Sequence, residues 1–248
     1  DAGCYAWAEP PNTPYSADAT SPPGKLRIAW MDSALTGVPV DPDCRQALHN
    51  TVKLCEELGH EMIEAAPEID IEAHSIATLR VWTANLAHMM DGIATHLGRT
   101  PSEENLEAAS WACYQFGKNL TAFDMIETMD IFTFVSRSVG TFFESYDVLL
   151  SPATAHPPLL LGELNQNASG ISVEEWNTQI FSFAPFSNLF NTTGQPAISL
   201  PLEWNRDDLP IGIQFAGRFA DESTLFKLAG QLEEAQPWKD KHPPAYLL

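Results

Sequence analysis

The stretch FNTTGQPAISLPL, residues 190–202, decides how this chain folds, and LPIGIQFAG, residues 209–217, follows it closely. Both contain short apolar runs entered through Gly or Pro with a polar residue inside, the pattern of two strands joined by a short connection. The first run is expected to be a buried strand. Asn191, Thr193 and Gln195 stand immediately before it. Polar groups in that position either tie down a turn or face something bound.

Working outward, YDVLLSPA, residues 146–153, is almost continuously apolar, as expected of a strand buried on both faces. Near the start, KLRIAWM alternates as a strand, and DPDCRQALHNTVKLCEELGH follows as a helix. Asp41 is its cap, Pro42 its first residue and Gly59 its terminator. HEMIEAAP is the next strand. A strand, helix and strand of these lengths predict a right-handed βαβ unit with parallel pairing. A long helix is expected from Ile71 to Leu97, with two more from 102 to about 116 and 121 to about 145. DESTLFKLAGQLEEA predicts a final amphipathic helix capped by Asp221. Residues 1–24, rich in Pro, Ala and Ser, read as an extended arm or junction whose Tyr5, Trp7 and Tyr15 pack on a neighbouring surface. Residues 25–248 form the α/β domain.

Composition removes several functions. Hydrophobic residues make up 44% of the 248, a globular content, and the apolar runs are too short to span a bilayer. Acidic residues outnumber basic ones 33 to 13, for a net charge of -20. Phosphate neutralisation needs clustered Lys and Arg, so neither nucleic acid nor an anionic membrane is an expected partner. Cys4, Cys44, Cys55 and Cys113 form no CxxC pair, which leaves reduced thiols in a cytoplasmic protein as the expectation and no metal site.

Local signatures of chemistry are missing too. The sequence has no GxSxG elbow, P-loop, GxGxxG after a strand, or HExxH. His49, His60, His88 and His96 are expected to cap helices or face solvent. His156 is the one histidine read as just beyond a buried strand, and a structural or rim role is favoured there. The sequons at Asn119, Asn167 and Asn191 read as chance matches.

Taken together, FSNLFNTTGQPAISLPL, LPIGIQFAGRFADESTLFKLAGQLEEAQPW, GVPVDPDCRQAL with ELGHEM, and YDVLLSPATAHPP with GEL resemble the carboxy-terminal half of the amidase signature family. The likeness runs in the same order over residues 25–238. DAGCYAWAEPP resembles the junction after that family's nucleophile region. Within the family the likeness is to bacterial amidases acting on linear or cyclic amides, including cyclic-dimer nylon-oligomer hydrolases.

The resemblance implies part of an α/β/α layered fold around a central mixed β-sheet, incomplete without an upstream segment. It also implies a cofactor-free amide hydrolase with a Ser nucleophile, a bridging Ser and a Lys base. Those three lie in a Gly/Ser-rich signature and an upstream Lys segment that this sequence does not contain, so no catalytic residue is carried over. The amino-terminal half of the same amidase, on a separate or nicked chain preceding Asp1, is therefore the expected partner. A homo-oligomer is a further possibility.

For substrate contact the resemblance points to Trp82 and Asn85, one helical turn apart beside the acyl pocket, and to Thr154 at a strand's carboxyl end. It adds Phe186, Phe190 and Asn191, with Asn191 and Thr193 tying the turn and Gly194 allowing close approach. Core packing competes for both phenylalanines and for Trp82. Arg218 is expected to pair with an acid such as Asp221. Two alternatives stay open: an amidotransferase subunit passing ammonia to a tRNA-bound partner, and a binding or scaffold protein that kept the half-fold without its chemistry.

Overall fold

The βαβ unit predicted from the first strands is present. In the computed structural model, which describes residue 11 and residues 13–242, β1 (Arg27–Trp30) pairs in parallel with β2 (Glu61–Glu64) across α2 (Pro42–Glu57). The preceding element, α1 (Tyr15–Asp18), is a single helical turn inside the segment expected to be extended. Its Tyr15 ring stacks on Phe226 at 4.9 Å, whereas Tyr5 and Trp7 lie outside the described residues. Helix α2 begins where Asp41 accepts from the Asp43 N–H with Pro42 in the first turn, and it buries Cys44, Ala47, Leu48, Thr51, Val52 and Cys55. That spacing is one helical face turned to the sheet.

Three long helices follow: α3 (Ile71–Leu97), α4 (Ala108–Asn119) and α5 (Ala122–Ser145). Helix α3 ends on Gly98 in the left-handed region, φ 61°, and α5 opens on a reciprocal capping box between Thr121 and Asp124. Next comes β3 (Val148–Pro152), buried at every position as its apolar run predicts. Two helices unforeseen from the sequence come after it, α6 (Val173–Phe183) and α7 (Asn188–Thr193). The chain closes with β4 (Ala197–Trp204), β5 (Pro210–Gly217) and α8 (Glu222–Ala235).

The five strands form one mixed sheet in the order β2-β1-β3-β5-β4. Strands β1, β2 and β3 run parallel, and β5 is antiparallel to both β3 and β4. Strand β4 is therefore an edge rather than a buried strand. Ala197 and Ser199 are exposed, Pro201 is tolerated there, and the register shifts between Leu200 and Glu203. The core joins Ile28, Leu48, Leu149, Leu150 and Phe215 to Val135, Val139 and Phe143 of α5 and to Phe186, Leu189 and Phe190 around α7.

Two polar anchors differ from expectation. Arg218 pairs with Asp147 at 2.9 Å and donates through Nε to the Phe143 and Tyr146 carbonyls, while Asp221 caps α8. A partner 71 positions away cannot be read from local sequence. His60 is buried rather than capping or exposed: Nδ1 accepts from the Leu26 N–H, so Nε2 carries the proton it donates to Gln231 Oε1 at 2.8 Å. No helix among the described residues is long and apolar enough to cross a membrane.

Candidate functional site

The polar stretch that opens the sequence argument forms α7 and its exit. Asn188, Leu189 and Phe190 are buried, and Gly194 at φ 78° turns the chain into β4 with its N–H donating to the Phe190 carbonyl. Thr193 donates to the Leu189 carbonyl at 3.1 Å, so it does bind the turn's backbone. Asn191 does not; its side chain is exposed. A Cβ at Gly194 would stand 3.3 Å from the Phe219 ring, so glycine lets that aromatic close over the turn.

Helix α7 is tied to α3 by His74, whose Nε2 lies 2.9 Å from Thr192 Oγ1. His74 is 1% exposed, and burial pushes its pKa below 6.5, so the ring is held neutral. Its Nδ1, Asn188 Oδ1 and Gln195 Oε1 are buried with no hydrogen-bond partner. Three orphaned polar atoms around one short helix are uncommon in a core. His74 and Asn188 line a small cavity together with Phe181 and Phe186, with room for about 20 Å³.

Phe181 belongs to α6 and stands between this cavity and a second, wider space. Its ring packs on Trp82 of α3 with centroids 5.3 Å apart. Beyond Trp82 a groove of about 250 Å³ runs between α3, α4 and α6. Trp82, Trp176 and Ile180 give it apolar walls, and Cys113, Gln166 and Asn177 give it polar ones. The groove owes its shape to a close helix crossing. A Cβ on Gly117 of α4 would fall 2.0 Å from the Thr83 carbonyl oxygen of α3, so only glycine permits this approach. Burial, and then Glu174 nearby, raises the pKa of the Cys113 thiol and keeps it protonated.

The candidate residues fall into three groups. Trp82 is 43% exposed and lines the groove, whereas Asn85 is exposed and lies outside it. Phe186 and Phe190 are 1% and 6% exposed and pack as core beneath α7. Thr154 stands just past the end of β3 and donates to the His156 carbonyl at 2.7 Å; Asn191 projects from α7 into solvent. Sequence reasoning missed His74, Thr192, Phe181, Trp176 and Cys113. The signal for α6 was available in the S-x-x-E pattern of Ser172 and Glu175, which form a reciprocal capping box. No cluster of three metal-ligating side chains occurs among the described residues.

Comparison with known proteins gives this geometry a context. A family model described as Amidase matches residues 3–226. The 6-aminohexanoate-cyclic-dimer hydrolase of Pseudomonas sp. (strain NK87) is 28% identical over 237 residues, covering 93% of this chain and 48% of its own length. The putative amidase AmiC of Mycobacterium bovis is 32% identical over 235 residues, with coverage of 93% and 48%. A solved structure of 6-aminohexanoate cyclic dimer hydrolase superposes with a TM-score of 0.87 at 27% identity, covering 96% of this chain and 51% of that one. The chain thus spans about half the length of the relatives it matches.

Proposed function

The chain belongs to the Amidase family, and from that premise we propose that it is the carboxy-terminal half of a serine-dependent amide hydrolase. It supplies sheet, covering helices and one wall of the pocket for a neutral linear or cyclic amide. The Ser nucleophile, bridging Ser and Lys base come from an upstream half of a cytoplasmic enzyme, outside these 248 residues. The observation that carries this is the family match over residues 3–226 in a sequence without the Gly/Ser-rich signature, at 48% of a relative's length.

The chemistry follows from that division. The neutral Lys takes the nucleophile's proton through the bridging hydroxyl, the Ser oxygen attacks the amide carbon, and backbone N–H groups hold the oxyanion. The amine leaves with a proton, and water then releases the acyl group. On this side, α7 and Gly194 lie beside the reacting carbonyl. Phe186 and Phe190 hold α7 in place from below, and Trp82 offers an aromatic wall. Thr154, Asn85 and Asn191 are the polar groups available at the rim.

The assembly of both halves should hydrolyse an aryl or short-chain amide and lose activity to a Ser-directed reagent, with the adduct on the upstream polypeptide. The isolated chain should be inactive. Turnover by these 248 residues alone would refute the division of labour. Ammonia transfer to a tRNA-bound partner, or a stable inactive monomer, would instead identify an amidotransferase subunit or a scaffold.

A further inference from the structure

The groove between α3, α4 and α6 has an electrostatic character at odds with the molecule around it. The chain carries a net charge of -20, yet no Asp, Glu, Lys, Arg or His lines the groove. Two indoles, from Trp82 and Trp176, face a space that also offers two primary amides, from Gln166 and Asn177. Indoles give a flat ring large apolar contact, and a side-chain amide both donates and accepts. Glu174 lies close enough to act on the Cys113 thiol. A ligand carboxylate would be desolvated there without a cation to meet it.

The groove adjoins the α7 region, separated from it by Phe181, whose ring packs on Trp82 and lines the cavity beneath α7. Its floor is fixed by the Gly117–Thr83 crossing, so it is formed before anything binds. We propose that this groove is a specificity site that takes an uncharged aromatic or alicyclic arm of the amide substrate and turns away one carrying a carboxylate. The assignment rests on the hydrolase reading above. It narrows that reading from neutral amides in general to those bearing a ring, and it gives Trp176 and Asn177 roles alongside Trp82.

Among the described residues Cys113 is the cysteine open to a reagent, because Cys44 and Cys55 are fully buried, and peptide mapping separates it from Cys4. Alkylation of Cys113 by monobromobimane, at alkaline pH where its raised thiol ionises, is followed by peptide mapping in the protein purified with its upstream half. Acetanilide and 4-acetamidobenzoate, which differ by one carboxylate, serve as the two probes. Acetanilide should slow labelling about ten-fold and 4-acetamidobenzoate should not, and Trp176→Ala should remove the protection and raise KM for acetanilide about ten-fold. Asn177→Asp should weaken acetanilide protection while leaving the thermal midpoint of the protein in place.

Equal protection by both probes would overturn the proposal. So would a Cys113 that stays unreactive without any probe, since polypeptide would then fill the groove. The hydrolase reading fails separately: hydrolysis without Cys113 protection sinks the groove alone, and protection without hydrolysis sinks the hydrolase while the groove stands.

Discussion

The strand-rich part of the molecule and its helical block handle surface in opposite ways. Around β1, β3, β5 and α8, buried polar groups find partners: both His60 nitrogens are bonded, and the Ser151 hydroxyl donates to the Pro152 carbonyl. In the block from α3 to α7 several do not, although Thr83 donates to the Leu79 carbonyl. Asp18 apart, the buried side-chain atoms without a partner belong to His74, Thr78, Thr128, Asn188 and Gln195, in or beside that block. The exposed large hydrophobics follow the same division, with only Leu209 and Phe219 outside it. Phe123, Ile126 and Phe134 of α5 are 75%, 63% and 68% exposed. One part is finished by its own residues. On the proposed reading, the other is the side that the upstream half completes.

The largest test of this contrast compares two apolar truncations. Leu150→Ala in β3, where the side chain is fully buried, should cost about 2–5 kcal/mol, read by chemical denaturation. Phe134→Ala should change the stability of the chain itself by less than about 0.5 kcal/mol while weakening its association with the upstream half. Equal losses from the two would remove the contrast.

A second comparison uses two glycines that each meet a carbonyl oxygen. Gly117→Ala should cost about 1–3 kcal/mol, because α3 and α4 are both long helices and neither can retreat from a 2.0 Å contact. Gly230→Ala in α8 faces the Ala19 oxygen at 1.8 Å, an equally severe clash on paper. There only the segment around the short α1 has to lift, so the loss should be smaller in a thermal melt. A larger loss at Gly230 would place the rigid junction in the wrong part of the molecule.

These cases also show how far the sequence could be read. The α2 cap at Asp41, the span of α3 from Ile71 to Leu97 and the all-buried β3 were legible, because capping and apolar periodicity are local. The exposure of Ala197 and Ser199 was not, since an edge strand is defined by which neighbours it lacks. Nor was the Arg218–Asp147 pair. Of the candidate site residues, Trp82 reached an open wall, but the groove also needs Cys113 and Trp176, which come from helices separated by β3. Residue type alone did not separate the buried Phe186 and Phe190 from the exposed Trp82.

The smallest expected effect is a pH dependence at the α3–α7 tie. Burial lowers the folded-state pKa of His74 below 6.5, so the unfolded chain binds more protons in that region. Stability is then full above pH 6.5 and declines as pH falls below it toward the lower folded value. His74→Gln should flatten this slope in melts across that window. An unchanged slope would mean that His74 titrates alike in the folded and the unfolded chain.

The account stands most directly on what accompanies the chain. Intact-mass analysis of the active species should find these 27.3 kDa joined, by a peptide bond or by contact, to an upstream half that carries a Gly/Ser-rich segment and a Lys before it. Full amide-hydrolysing activity in a species of 27.3 kDa and nothing more would contradict it.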